Sequence, residues 1–390
     1  MIAESPVARP RLASATGLSL ATVSTLTGEL LSLGLLAESG YEESAGGRPR
    51  ALLTPDTRRG VLVGVDIAET YVHAEVYDLA CTVLARTGER LHHDEREPSR
   101  VAERVAGAVR TAVAKAGTPE DRVLGTGISM PGVVDRAGGN AGYAATWGWH
   151  DVPLLELLRP RLPMPLFLDS PLHASALAEL WFGAVRGRED AVVVNVGTGV
   201  GAGLVIGGEV HRGKDNAAGE WGHTPLVPDG RPCRCGNAGC VETYAGAPGI
   251  MQTLAELSPG SPMLYRADQT ATIEALVHGL AHGNPAACET VRRTGRSLGS
   301  ALAGLVNLLN PEVAVLGGWV ATALGQPLLD EVRAVVARRA LTHPFRGTEF
   351  ALCPLTASPV CLGTAALALE GLLSVPARRS DHQRIPQGER

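Results

Sequence analysis

The feature that most limits what this chain can fold into is an alternation. From about residue 60 to residue 372, apolar runs of strand length trade places with longer stretches of helical period. Strands read at Val61 to Ile67, Tyr71 to Asp78, Val123 to Ser129, Leu166 to Asp169, Ala191 to Val196, Gly203 to Ile206 and Val313 to Leu316. Helical periods include Val101 to Ala116 and Leu298 to Leu309. Such alternation calls for α/β layers, with ligands bound at the carboxyl ends of the strands. Residues 60–180 and 181–372 repeat it, which suggests two lobes around a cleft. The polar tail, 373–390, is expected to be disordered.

Composition narrows the partners. The net charge of −5 argues against wholesale coating of nucleic acid or membrane, though not against one small DNA-binding module. No run of about 18 apolar residues reads as a membrane span, and the first residues hold no signal peptide. The stretch from Ala191 to Gly207 is interrupted by glycines and reads as strand, turn, strand. A cytoplasmic protein is expected. There are seven cysteines, and three crowd into Cys233, Cys235 and Cys240. In a cytosolic chain that spacing suggests a metal before disulfides.

Residues 1–56 read differently. A short helix opening at Arg11 ends at Gly17, and Ser19 is a good cap for a second helix from Leu20 to about Leu33. Val23, Leu26, Leu30 and Leu33 are expected to form its apolar face. Ser19, Ala21, Thr22, Ser24 and Thr25 are small enough to let a recognition helix approach DNA. This segment resembles a helix-turn-helix. Leu35 to Glu42 and Ala51 to Thr54 then read as a hairpin, a wing whose tip offers Arg48 and Arg50 to phosphates or a minor groove. Acidic and basic residues balance in this module, which keeps a plain helical docking domain as the alternative. Only Met1 to Ser5 precede Pro6, so the expected helix before Arg11 is missing: either the native start lies upstream or the module has lost it.

His223 and the three cysteines make a closed set of one imidazole and three thiolates, the chemistry of a structural Zn2+ site. Taken together, Gly-Glu-Trp-Gly-His at 219–223 and Cys-Arg-Cys-Gly-Asn-Ala-Gly-Cys-Val-Glu at 233–242 resemble the signature of the ROK family of repressors and sugar kinases. The resemblance extends over nearly the whole chain. It implies a winged helix-turn-helix followed by two actin/hexokinase-like (ribonuclease H-like) lobes around a sugar cleft. It implies that Glu220, His223 and Glu242 bond sugar hydroxyls and that Gly132 lines the sugar, with His223 using its second ring nitrogen. Thr146 and Ser170 fall where amide contacts are expected, so the ligand need not be glucose-like. Trp147 and Trp149, which flank that loop, are available to stack on a sugar or to pack the core.

The chain departs from the kinases of that family at the chemistry itself. Pro165 to Phe167 and Ala174 to Glu179 fix the register of a motif in which Ser170 and Pro171 occupy the Asn-Asp positions. A proline cannot accept the hydroxyl proton. Asp169 is weighed as a displaced base and His173 as an outside candidate. The phosphate loop reads Asp66-Ile67-Ala68-Glu69-Thr70 where the family has two glycines after the isoleucine. Asp66, Gly197, Thr198, Gly199, Gly317 and Gly318 therefore read as remnants of a nucleotide site, and ATP and Mg2+ are not expected to bind. The expectation is a repressor of carbohydrate genes, a homodimer or homotetramer on operator DNA, controlled by a small sugar or sugar derivative. A sugar kinase and a ligand-blind regulator are the rivals.

Overall fold

The computed structural model describes residues 5–42, 49–92, 95–135, 139–144 and 147–374. Its N-terminal module runs β1 (Val7–Ala8), α1 (Arg9–Thr16), α2 (Leu20–Ser32), β2 (Leu36–Glu42) and β3 (Arg50–Pro55), with sheet order β1-β3-β2. The first helix opens two residues before Arg11, and Val7 and Ala8, which precede it, pair with β3. Ser19 caps α2 by accepting the Thr22 N–H at 3.1 Å. The apolar face of α2 differs from the expected one. Val23 and Thr27 are buried, Leu30 is half-buried, and Leu26 and Leu33 stand 45% and 49% exposed. Thr27 can be buried because its hydroxyl donates to the Val23 carbonyl at 2.8 Å and accepts from Arg9 Nε at 3.0 Å.

The rest of the chain uses one plan twice. The first half contains β4 (Val61–Ile67), β5 (Tyr71–Asp78), β6 (Val83–Arg90), α3 (Pro98–Lys115), β7 (Val123–Ser129), β8 (Val133–Asp135), β9 (Asn140–Ala144), β10 (Trp149–Val152), α4 (Leu154–Leu158), β11 (Leu166–Asp169) and α5 (Pro171–Phe182). The second contains β12 (Ala191–Val196), β13 (Val200–Ile206), β14 (Glu209–His211), α6 (Glu242–Ala245), α7 (Ala247–Leu257), α8 (Gln269–Ala281), α9 (Pro285–Leu309), β15 (Val313–Gly317), α10 (Trp319–Arg339, broken at Gly325), α11 (Thr342–Gly347), β16 (Glu349–Leu352) and α12 (Pro359–Ser374). Each half opens with an antiparallel meander whose first strand takes a parallel fourth strand on its free edge, and then a fifth. The sheets read β11-β7-β4-β5-β6 and β14-β13-β12-β15-β16. Strands β8 to β10 form a separate small sheet.

The two central helices cross the boundary drawn at residue 180. Helix α5 packs on β12, β13 and β14 of the second sheet, whereas α12 returns to β4, β7 and β11 of the first. The physical reason is close approach. A Cβ on Gly64 or Gly127 would fall 1.8 Å from the carbonyl oxygens of Cys361 and Thr364, and one on Gly363 would meet the Ala174 carbonyl at 1.8 Å. Every residue from Val360 to Leu369 is buried. A helix that is apolar all round belongs between layers, and α12 lies between the first sheet and α5. Leu373 and Ser374, placed with the tail by their sequence, end this helix, and residues 375–390 lie outside the described ones.

Candidate metal centre and ligand cleft

After β14 the chain descends through a short helical turn at Glu220–His223 into a loop braced by the bridges Pro225 to Cys240 and Pro232 to Ala238. This bracing gathers the four candidate ligands. One nitrogen of His223 and the sulfurs of Cys233, Cys235 and Cys240 all lie within 4.8 Å of one another. Cys235 Sγ and Cys240 Sγ are 3.8 Å apart, and Cys233 Sγ lies 3.5 Å from His223 Nδ1. A tetrahedral ion with bonds of about 2.3 Å to sulfur and 2.0 Å to nitrogen has edges of about 3.8 and 3.5 Å. The donor set and its spacing therefore fit zinc, and all seven cysteines are free of disulfides. With Nδ1 among the sulfurs, His223 Nε2 turns the other way and stands 3.9 Å from Glu220 Oε2.

The carboxylates expected to read a sugar lie beside this centre. Burial pushes the Glu220 carboxyl above its ordinary value, with Glu242 adding to the rise and His223 opposing it. Glu242 opens α6. Its Oε2 accepts the Val200 N–H at 3.0 Å, and its Oε1 is 3.3 Å from Arg234 Nη2. Gly132 follows β7 with φ +91°, and a Cβ there would lie 2.0 Å from the Tyr143 carbonyl oxygen. Packing against β9 thus already requires glycine at this position. Ser170 is buried as the cap of α5, accepting the His173 N–H at 3.3 Å. Trp147 and Trp149 pack edge to face at 4.7 Å in the core of the first lobe. Thr146 lies outside the described residues.

Pro171 opens α5 at its first turn, where a missing N–H costs nothing. The two neighbours weighed as bases, Asp169 and His173, are both bonded within the chain. Asp169 is 1% exposed. Its Oδ1 accepts from the Ser170 N–H at 2.8 Å, His173 Nδ1 at 2.8 Å and Asn216 Nδ2 at 3.1 Å, and its Oδ2 accepts from Arg212 Nε at 3.0 Å. Burial works to raise the Asp169 carboxyl, but His173, Arg212 and Asn216 outweigh it and hold the group well below the usual carboxylate range. His173 Nε2 lies 3.0 Å from the Ala218 carbonyl, so both ring nitrogens face acceptors. Asn216 also donates to the Val134 carbonyl at 3.0 Å. Arg212 and Asn216 come from the segment after β14, so this network ties the lobes together. Neither is marked by a local motif, and sequence reading missed both.

The glycine turns adjoin Glu242: a Cβ on Gly199 would lie 2.8 Å from its Oε2. Gly197–Gly199 follow β12, and Gly317–Gly318 close β15, its parallel neighbour. The indole of Trp319 crowds this opening: a Cβ on Gly197 would meet its ring atoms at 3.1 Å. Thr198 Oγ1 donates to Gln269 Oε1 at 3.1 Å. Asp66 is buried, with Tyr71 donating to Oδ2 and Ser129 to Oδ1, each at 3.0 Å. Burial raises its carboxyl while the two hydroxyls pull it down. On the N-terminal module, Ser19, which caps α2, and Ala21, Thr22, Ser24 and Thr25 on it are all exposed, as is Arg50, which pairs with Glu42 at the loop end of the hairpin. Arg48 lies outside the described residues.

Comparison with known proteins places this geometry. The model of the ROK family matches residues 62–370. A putative xylose repressor from Caldicellulosiruptor sp. (strain Rt8B.4) is 30% identical over 375 residues, 95% of this chain and 93% of that protein. The crystal structure of a ROK family transcriptional regulator, a homologue of the E. coli MLC protein, superposes with a TM-score of 0.78 at 26% identity, covering 95% and 94% of the two chains. A ROK family glucokinase from Streptomyces griseus, solved with glucose and AMPPNP, gives 0.70 at 29% identity over 80% of this chain and 100% of that one.

Proposed function

Because the chain belongs to the ROK family, its N-terminal module and its lobes can be read together, and we propose that it is a DNA-binding repressor of carbohydrate genes that senses a sugar without phosphorylating it. The observation that carries this reading is the pairing, in one chain, of an exposed small-residue face on α2 with a Pro171 that opens α5, where the family resemblance expects the catalytic carboxylate. In the cytoplasm, two copies would set their α2 helices on the half-sites of an operator, with the wings on the backbone. Loss of a general base alone removes about 10²–10⁴-fold of rate. Asp169 is too acidic and too fully bonded to restore it.

Zinc, bound by His223, Cys233, Cys235 and Cys240, would serve as a structural ion. The residues around it do the rest. His223 is held through Nδ1, leaving Nε2 beside Glu220, and Glu220 and Glu242 are placed to accept from sugar hydroxyls. Helix α5, whose first turn carries Ser170 and Pro171, packs on α12. Helix α12 shares a buried cluster with Leu35, which joins α2 to β2, and Arg59 Nε reaches the Leu33 carbonyl at 3.2 Å. A sugar that binds one lobe arrangement better than the other would therefore move the recognition helix through packed side chains. The reading is tested by an ATP-consumption assay across an aldose panel containing D-glucose and D-xylose, with Asp169→Ala as control. No turnover above the Asp169→Ala background is expected; turnover abolished by that substitution would establish the kinase instead.

A further inference from the structure

Two side chains beside Glu242 remain unused by this account. Glu69 lies in the turn between β4 and β5, on the first lobe. Arg234 stands between Cys233 and Cys235, on the second. Arg234 Nη1 is 2.6 Å from Glu69 Oε1, while Nη2 is 3.3 Å from Glu242 Oε1. The other oxygen of Glu242 holds the Val200 N–H. One guanidinium thus joins two carboxylates from opposite lobes, and they are only 18% and 11% exposed. The backbone at Arg234 has little freedom, because both its neighbours are candidate metal ligands and Cys233 N–H is bonded to the Asn237 carbonyl at 2.8 Å. The planar fork of arginine suits such a double pairing, and lysine, with one charged centre, makes it less well.

We propose that Arg234 is a positioning residue: it fastens the metal loop to the first lobe through Glu69 and holds Glu242 in its place in the cleft. In this chain an internal carboxylate, Glu69, then helps to set how far the lobes close when no ligand is bound. The part concerning Glu242 rests on the sugar-sensing reading; the part concerning closure does not.

The test is a double-mutant cycle on lobe closure in the full chain. One dye is placed on the exposed Cys288 and its partner on an azide side chain introduced at Thr111, an exposed position of α3. Single-molecule energy transfer is recorded without ligand, with zinc content measured in each variant to show that the metal loop is intact. Glu69→Gln and Arg234→Gln should each reduce the closed population about three- to tenfold relative to open, with the double variant no worse than the worse single. Arg234→Lys should recover part of the closed population. Unchanged distributions in both single variants, or effects that simply add, would overturn the proposal. For the sugar arm, Arg234→Gln should weaken D-xylose or D-glucose binding by a comparable factor. If the unaltered protein binds neither sugar nor any other aldose, the sensing reading fails, while the closure measurement still decides the role of the Glu69–Arg234 pair.

Discussion

At the Cys/His loop, side chains from separate turns are gathered around one point. Four soft or borderline ligands stand at tetrahedral spacing, and the second nitrogen of His223 turns toward Glu220. At the nucleotide edge, groups have found partners within the chain. Asp66 is bonded to two hydroxyls, Trp319 lies against Gly197, and Glu69 stands where a phosphate loop needs a glycine and pairs with Arg234. The first region is built of metal-ligating side chains, whereas at the second a loop expected to approach phosphates through glycine carries Glu69, and Asp66 is engaged by hydroxyls of its own lobe. The proposed reading, ligand sensing without phosphate transfer, rests on this difference.

The strongest way to break this comparison is to remove the metal. Chelation, or Cys240→Ser, should lower stability by on the order of 5 kcal/mol and release hydrogen-exchange protection from residue 220 to 242. Unchanged protection in metal-free protein would show that the loop holds itself together.

The Asp169 network comes next. Asp169→Asn leaves His173 and Arg212 facing a neutral partner, and about 3–5 kcal/mol should be lost at pH 7. The folded Asp169 value lies below the ordinary 3.8, so its contribution is present above that pH and fades as acid carries the protein toward the folded value. Denaturant midpoints of the variant and the unaltered protein should therefore begin to converge below about pH 4 and continue to do so as pH falls toward the folded value. A gap that persists in acid would mean that the loss comes from packing and not from charge.

Asp66 should behave with the opposite sign. Its folded value is raised, so the group favours the fold below the ordinary value and costs stability as pH rises through the folded one. Asp66→Asn should then gain about 1 kcal/mol at pH 7 and nothing in acid. Destabilisation at pH 7 would indicate a carboxylate still needed at the nucleotide edge. The smallest expected effect is none: Pro171→Asp alone should not create ATP-dependent phosphorylation of any aldose, because in the proposed reading the loop at Ala68 and Glu69 no longer holds a triphosphate. Turnover in that single variant would show the nucleotide edge to be working.

What was legible in the sequence follows the same division. The Cys/His set was readable because metal ligands are encoded by residue type and short spacing. The two-lobe plan was readable from strand and helix alternation. Its central crossing was not: α5 and α12 exchange sheets through glycine contacts between segments far apart in sequence. The Asp169 network was hidden for the same reason, since Arg212 and Asn216 lie 43 and 47 residues away. The face of α2 was misread because its leucines spread around more than one side, and a small module buries only Val23 and Thr27 completely.

The central claim is most directly tested by fluorescence anisotropy of the full chain on DNA from upstream of its own gene, titrated with salt and with an aldose panel. The account predicts selective binding that weakens with salt, that loses roughly one unit of salt slope in Arg50→Ala, and that shifts when one sugar of the panel is added. Binding no tighter than to random DNA, whatever the sugar, would contradict it.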